Sequence, residues 1–190
     1  MESIKKSKLE IQDLILININ QLNQTQKELF AKQQIIEFED EEILNNTTIC
    51  EFLNGRKYTL KDSLDFINLK TDRYIFVIYN TQNKLIGVIG IDSINRFNNS
   101  GSLGYWIAKN QRGNGYISKS VKIFIQSCFQ DLKINKINSS AFDYNIGSNK
   151  VLQKYGFTQI GIKKENRFRN NKYCDENMYE LLKSEWEKEN

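Results

Sequence analysis

The chain has 190 residues, 39% of them hydrophobic, with 27 Lys and Arg against 23 Asp and Glu for a formal charge of +4. That is enough chain for one domain, residues 1–190, with an ordinary core and no need of disulfides or a structural metal. It contains no histidine and no proline, which excludes His general bases, Ser–His and Cys–His dyads and most zinc sites, and leaves proton transfer to Asp, Glu, Tyr, Ser, Cys and Lys.

The mild basic excess favours an anionic ligand or a ribosomal partner without choosing between them. Cys50, Cys128 and Cys174 are odd in number and show no C-x-x-C spacing, which fits reduced thiols in a cytosol. No stretch approaches the ~18 apolar residues that a membrane helix needs, and Met1 to Lys8 is charged with no apolar run behind it. The chain therefore reads as soluble and cytoplasmic, without a membrane partner.

In chain order, Leu9 to Ile19 alternates partly as a strand, Gln24 to Phe38 has a helical pattern, and Thr59-Leu60-Lys61-Asp62 is a capping-box variant opening a helix to about Leu69. Tyr74 to Tyr79 (YIFVIY) and Lys84 to Ile94 (KLIGVIGIDSI) form a hairpin across a turn at Asn80 to Asn83. After a polar turn at Asn95 to Ser100, Leu103 to Ala108 (LGYWIA) is a third strand, and three strands joined by short turns make an antiparallel meander. From Ser118 to Leu132 the apolar residues Val121, Phe124, Ile125, Cys128, Phe129 and Leu132 form one helical stripe. A strand at Lys136 to Phe142, a helix from Ile146 to Tyr155 stopped by Gly156, and strands at Phe157 to Lys164 and Tyr173 to Leu182 follow. Strand, helix, strand at these lengths is a crossover unit, so a mostly antiparallel sheet gains parallel pairing in its second half.

The stretch between the third strand and the long helix, QRGNGYISKS, is one residue from a nucleotide-binding P-loop, because a glycine at Ser118 would complete G-x-x-x-x-G-K-S. Three features oppose that reading. Ser118 stands where Lys119 would need a glycine to fold back over phosphates, four polar residues separate Ala108 from Gly113, and Lys136 to Phe142 is too polar for the required acidic-ended strand. The dinucleotide fingerprint G-x-G-x-x-G fails at the same position. A glycine turn leading into a helix N-terminus still suits an anion, since backbone N–H groups and the positive helix end converge there.

Arg112-Gly113-Asn114-Gly115-Tyr116-Ile117 resembles the Q/R-x-x-G-x-G/A pyrophosphate loop of the GNAT N-acetyltransferases, with Ile117 in place of the usual small last residue. LGYWIA upstream, then Asn145-Ile146-Gly147-Ser148, Gly156-Phe157, and Phe168 to Asp175 as F-x-N-x-x-Y-x-D, are similar in order to the RimJ/RimL-type branch, over about Lys84 to Leu182. The resemblance implies a mixed α/β sheet flanked by helices and splayed at the coenzyme A site, and an acetyl-CoA-dependent N-acetyltransferase without a metal. It implies that backbone groups at Trp106, Ile107 and Ala108 pair with the pantetheine arm, and that Arg112, Gly113, Asn114, Gly115, Tyr116 and Ile117 hold the pyrophosphate. Asn145 occupies the position of a pantetheine ligand and reads equally as a helix N-cap. Ser148 matches the serine proposed to protonate the leaving thiolate, and reads equally as a first-turn helix residue.

The sequence departs from the family at two points. The tyrosine that many members place four residues before Gly-Phe is Leu152 here, and the glutamate proposed as base in some members falls on Arg167. Glu165 and Asp92 are the acidic candidates for that role, and a water chain is a third way to remove the proton. The acceptor implied is a primary amine, foremost the N-terminal α-amine of a protein such as a ribosomal protein. A small amine (polyamine, amino acid or antibiotic) is the alternative, and a non-catalytic acyl-CoA-binding or RNA-associated module is a rival from another class, although no RNA-binding motif is present. Both monomer and homodimer are open.

Overall fold

A computed structural model describes residues 8–11, 13–39, 53, 56–68, 72–169 and 171–189. The N-terminal apolar run makes two strands, not one. Its polar break turns the chain back at Asp13, so β1 (Lys8–Ile11) and β2 (Leu14–Asn18) form an antiparallel hairpin with Ile11 opposite Leu14.

Helix α1 (Gln24–Phe38) opens with a reciprocal capping box. Asn23 Oδ1 accepts from the Gln26 N–H at 2.9 Å, and Gln26 Oε1 accepts from the Asn23 N–H at 3.0 Å. Helix α2 (Leu60–Asn68) opens in the same manner, with the Asp62 carboxylate accepting from the Thr59 N–H at 2.8 Å and from its hydroxyl at 2.6 Å. The expected last residue of this helix, Leu69, lies outside the described residues, as does Cys50.

Strands β3 (Tyr74–Asn80), β4 (Leu85–Asn95) and β5 (Ser100–Ile107) pair as the expected meander. β3 is buried throughout because both of its faces are covered: Tyr74, Phe76 and Ile78 enter one core, Ile75, Val77 and Tyr79 the other. β5 begins three residues before the expected Leu103. Pairing decides this, since Ser100, Gly101 and Ser102 lie beside Lys136, Ile137 and Asn138, and a Cβ on Gly101 would meet Ile91 Cγ1 at 2.7 Å.

Helix α3 (Tyr116–Gln130) starts two residues before its stripe and buries Val121, Phe124, Ile125, Cys128 and Phe129. Strand β6 (Lys136–Phe142) and helix α4 (Ile146–Lys154) fall where the pattern places them. β7 (Thr158–Arg169) and β8 (Lys172–Leu182) are longer than expected, because β7 absorbs a bulge, with Glu165 at φ +48°, and resumes pairing at Arg167. A short α5 (Lys183–Glu189), absent from the sequence reading, sets the Trp186 ring 6.3 Å from that of Phe129.

The eight strands form one sheet in the order β1-β2-β3-β4-β5-β6-β8-β7, antiparallel except for β5 beside β6. Residues of α3 share one core with inward residues of the sheet, while residues of α1 and α2 pack on the opposite face against β3 and β4. Among the described residues no helix is long and apolar enough to cross a membrane.

Candidate active site

The one parallel junction positions the site. β5 and β6 pair only from Ser100–Lys136 to Leu103–Ser139; beyond that they diverge, although β5 runs on to Ile107 and β6 to Phe142. The last rung is closed by Ser139, whose hydroxyl donates to the Leu103 carbonyl at 3.0 Å. Past it, residues 104–107 of β5 and 140–142 of β6 line a cleft of about 980 Å³. Buried backbone groups require partners, so this wedge is a ready binding surface for an extended, amide-bearing arm. Trp106 and Ile107 line it, while Ala108 turns its N–H back to Ile86 O at 2.8 Å.

At the end of β5, a single 3₁₀ turn (Lys109–Gln111) leads to Arg112 and then to two left-handed glycines, Gly113 at φ +79° and Gly115 at φ +74°. Asn114 Nδ2 holds the bend by donating to the Gln111 and Arg112 carbonyls at 3.3 and 3.4 Å. Gly115 occupies the N-cap position of α3, and no side chain caps that end. No atom outside the immediate chain neighbours lies within 4 Å of a Cβ built on Gly113 or Gly115. The result is an open, uncapped helix N-terminus with an Arg on its rim, suited to a phosphate. Arg112 and Ile117, at the two ends of this turn, both line the cleft, and Tyr116 begins the helix. Lys119 is engaged elsewhere, since its Nζ donates to both Asp13 carboxylate oxygens at 2.9 and 2.8 Å.

On the α3 face of the wedge, Asn145 caps α4 by accepting from the Ser148 N–H at 3.1 Å, and both residues line the cleft. The Ser148 hydroxyl donates to the Tyr105 phenol oxygen at 2.9 Å, and the phenol donates to the Ser148 carbonyl at 3.4 Å. Burial pushes the Tyr105 phenol up to about 12, against the lowering pull of Ser148. It is therefore neutral near pH 7 and free to donate or accept. Asn149 secures this corner: its Nδ2 reaches the Phe142 and Asn145 carbonyls at 2.8 Å, and its Oδ1 accepts from Asn177 at 2.9 Å and Tyr179 at 2.7 Å. Leu152, at the family's tyrosine position, is fully buried in the core.

The opposite face of the wedge carries the acidic groups. Asp92 lies on β4 at the cleft, exposed, with its charge felt by the buried Arg73. Glu165 does not line the cleft; it sits exposed in the β7 bulge, its N–H donating to Asp175 at 2.9 Å. Arg167 does line the cleft, and with it Glu176 on β8, a residue without motif signal. Glu176 is only 6% exposed and accepts from Ser140 Oγ at 2.5 Å, from Asn166 Nδ2, and from Arg167 Nε at 3.4 Å. Burial works against its ionisation, but Ser140, Asn166 and Arg167 outweigh it and hold the carboxyl below the ordinary value of 4.5.

A folded-state value below the unfolded one means that Glu176 contributes stability above the ordinary glutamate range, and that this is lost as pH falls through the depressed value. Glu176→Gln should therefore cost about 1–2 kcal/mol near pH 7, read as a melting temperature lower by about 2–8 °C. The gap to wild type should close as the pH is taken well below 4.5. A gap of equal size at pH 3 and pH 7 would show that the charge contributes nothing.

Splayed strands, an uncapped helix end after a glycine turn, and a hydroxyl pair beside the gap define the acyl-CoA cleft of an N-acyltransferase fold. The chain belongs to the GNAT acetyltransferase family: the model of the acetyltransferase (GNAT) domain matches residues 31–158. Among similar proteins are a putative ribosomal N-acetyltransferase, YdaF, of Bacillus subtilis, 32% identical over 105 residues, and the ribosomal-protein-serine acetyltransferase of Escherichia coli, 30% identical over 105 residues. Each alignment covers 55% of this chain, which spans 57% and 58% of those relatives respectively. Among solved structures, the ribosomal-protein-S5-alanine acetyltransferase of Vibrio fischeri superposes with a TM-score of 0.78 at 18% identity, covering 95% of this chain and 99% of that one. A spermidine N-acetyltransferase of Vibrio cholerae, in complex with CoA and spermine, gives 0.78 at 19% identity over 92% and 98%. At these identities the likeness is one of fold.

Proposed function

We propose that this protein transfers the acetyl group of acetyl-CoA to a primary amine, foremost the N-terminal α-amine of a protein, within a ternary complex in the cytoplasm. The observation that carries the reading is the continuity of the cleft. It connects an anion-binding helix end at Arg112 and Ile117, through the β5–β6 wedge, to a face bearing Asp92 and Glu176. The protein acceptor is supported by the two curated relatives, both named for ribosomal acetylation.

Acetyl-CoA, when bound, supplies the acetyl group as a thioester. The backbone N–H groups from Gly113 to Ser118 and the Arg112 guanidinium would hold its pyrophosphate, and the unpaired edges of β5 and β6 its amide-bearing arm. A free N–H near Trp106 would stabilise charge on the thioester oxygen as the amine attacks. Ser148 would turn its proton from Tyr105 to the departing sulfur and recover one from the phenol beside it, which solvent resupplies. Asp92 lends the acceptor face a negative charge that draws a cationic amine, while the charge of Glu176 is met by Arg167. Glu176, saturated by three donors, acts there as a fixed charge; the amine's proton leaves through Asp92 or water.

Release of free CoA thiol with a panel of Ser-, Ala- and Met-led peptides, spermidine and free amino acids tests this. Peptides should release CoA, and acetyl-CoA should raise the melting temperature. Stabilisation by acetyl-CoA with no amine turned over would leave a binding module, and stabilisation by ATP in its place would overturn the cleft assignment.

A further inference from the structure

Strands β4 and β5 carry four glycines, and packing explains three of them. A Cβ built on Gly87 would meet the Trp106 carbonyl oxygen at 2.5 Å, one on Gly90 the Ile75 Cγ1 at 2.7 Å, and one on Gly101 the Ile91 Cγ1 at 2.7 Å. Gly104 has no such reason. Among the described residues no atom lies within 4 Å of its Cβ position, its φ is not positive, and its pairing with Gly90 lies in an unbroken register from Gly87 to Asp92. Glycine in the middle of a strand weakens it, and where neither a bulge nor packing demands one it marks the close approach of a ligand. Gly104 is exposed although its strand is central in the sheet, and it is the first residue of β5 past the last rung with β6.

Alternation along β5 fixes what surrounds that opening. Tyr105 turns to the α3 core and to Ser148, whereas Trp106 packs with the core of α1 and α2, the face shared by Gly104 and, across the rung, by Gly90 and Ile75. Ile75, Val88 and Trp106 give the opening apolar walls in the cleft, and Asp92 and Ser102 occupy the next rung. On the reading above, the sulfur departs at Ser148 and the amine arrives at Asp92, so the acyl group passes between them at residue 104. We propose that the space over Gly104 is an acyl pocket with room beyond the acetyl methyl, and that the protein also transfers longer straight acyl groups, propionyl first. This rests on the acetyltransferase reading and extends its donor. The step balances as acetyl transfer does: the amine nitrogen bonds the acyl carbon, the C–S bond breaks, the amine gives up a proton and the sulfur takes one. A methyl on residue 104 and a further methyl on the acyl chain compete for the same space.

The experiment measures kcat/KM for acetyl-CoA and propionyl-CoA on wild type and Gly104→Ala, with the amine of the panel that is acetylated fastest as acceptor. Wild type should use propionyl-CoA within about tenfold of acetyl-CoA. Gly104→Ala should lower the propionyl-to-acetyl ratio about tenfold or more, the scale at which a pocket senses one methylene. Without amine, the dissociation constant of propionyl-CoA should rise in Gly104→Ala relative to that of CoA, which has no acyl group. Gly104→Ala should also melt at or above wild type, since alanine costs a strand less than glycine and its methyl meets no atom of the described fold. A variant that melts clearly below wild type, or does not fold, shows that the chain itself fills the space and overturns the inference. A wild type that transfers acetyl but not propionyl overturns it too, as does a Gly104→Ala protein in which either ratio is unchanged, the result expected if the acceptor's side chain occupies the opening. Those outcomes leave the acetyltransferase reading intact, whereas a wild type that transfers acetyl to no amine of the panel overturns both.

Discussion

Gly115→Asp is expected to weaken acetyl-CoA binding on the order of a hundredfold or more, read as loss of the melting shift with CoA and a matching rise in KM. Gly115 sits at φ +74° at the uncapped start of α3, with open space where its side chain would be. An aspartate there meets no neighbouring atom, bears the same left-handed strain as any side chain at this φ, and brings its own carboxylate to the N–H groups that a phosphate would use. Those groups acquire an internal competitor, and the incoming pyrophosphate meets a like charge at close range. Gly115→Ala is the control for backbone conformation: it adds about 1–2 kcal/mol of left-handed strain and no charge, so its effect on affinity should be far smaller. Lys119→Ala should leave affinity within about twofold, because Lys119 is held by Asp13 at the rim of the β1–β2 hairpin and exposed pairs of this kind contribute little. Equal losses from Gly115→Asp and Lys119→Ala would return the loop to a P-loop reading.

Ser148→Ala should lower kcat about a hundredfold while leaving the KM for acetyl-CoA within about threefold. Positioned proton donors contribute on that scale in the transition state alone. Tyr105→Phe should cost less, about tenfold, because it removes the group that orients the serine proton and leaves the proton itself in place. The double variant should be no worse than Ser148→Ala, the mark of two residues acting as one unit. A larger loss for Tyr105→Phe than for Ser148→Ala would assign the proton to the phenol, which burial keeps neutral across the working range. Retention of full kcat by Ser148→Ala would reduce Ser148 to a helix residue beside Asn145.

Some of this site was written in local sequence. Gly113 and Gly115 declare left-handed backbone, the stripe from Val121 to Phe129 declares the helix behind them, and Asn145 declares the start of α4. Such signals are legible because conformational freedom, capping and helical period act among near neighbours in the chain. LGYWIA likewise marked the strand beside the gap, although its start was set three residues earlier by a partner more than thirty positions away. The split of the N-terminal run into β1 and β2 is hidden for a similar reason: alternation alone does not reveal where a chain turns back on itself.

What the sequence by itself determined is the family layout: a meander, one crossover, and a glycine turn aimed at an anion, each encoded within a dozen residues. Only the tertiary structure decided which side chains share the cleft. Glu176 comes forward on the strand beside β6 and is held by Ser140, thirty-six positions away, while Glu165 is carried outward by the β7 bulge. Tyr105 meets Ser148 because β5 and β6 part, and Gln34 of α1 meets Ser63 of α2 because those two helices pack on the same face of the sheet. Those relations depend on sheet order, bulges and helix packing between distant segments. No local period or spacing records them, and the cleft wall bearing Asp92 and Glu176 is built almost wholly from them.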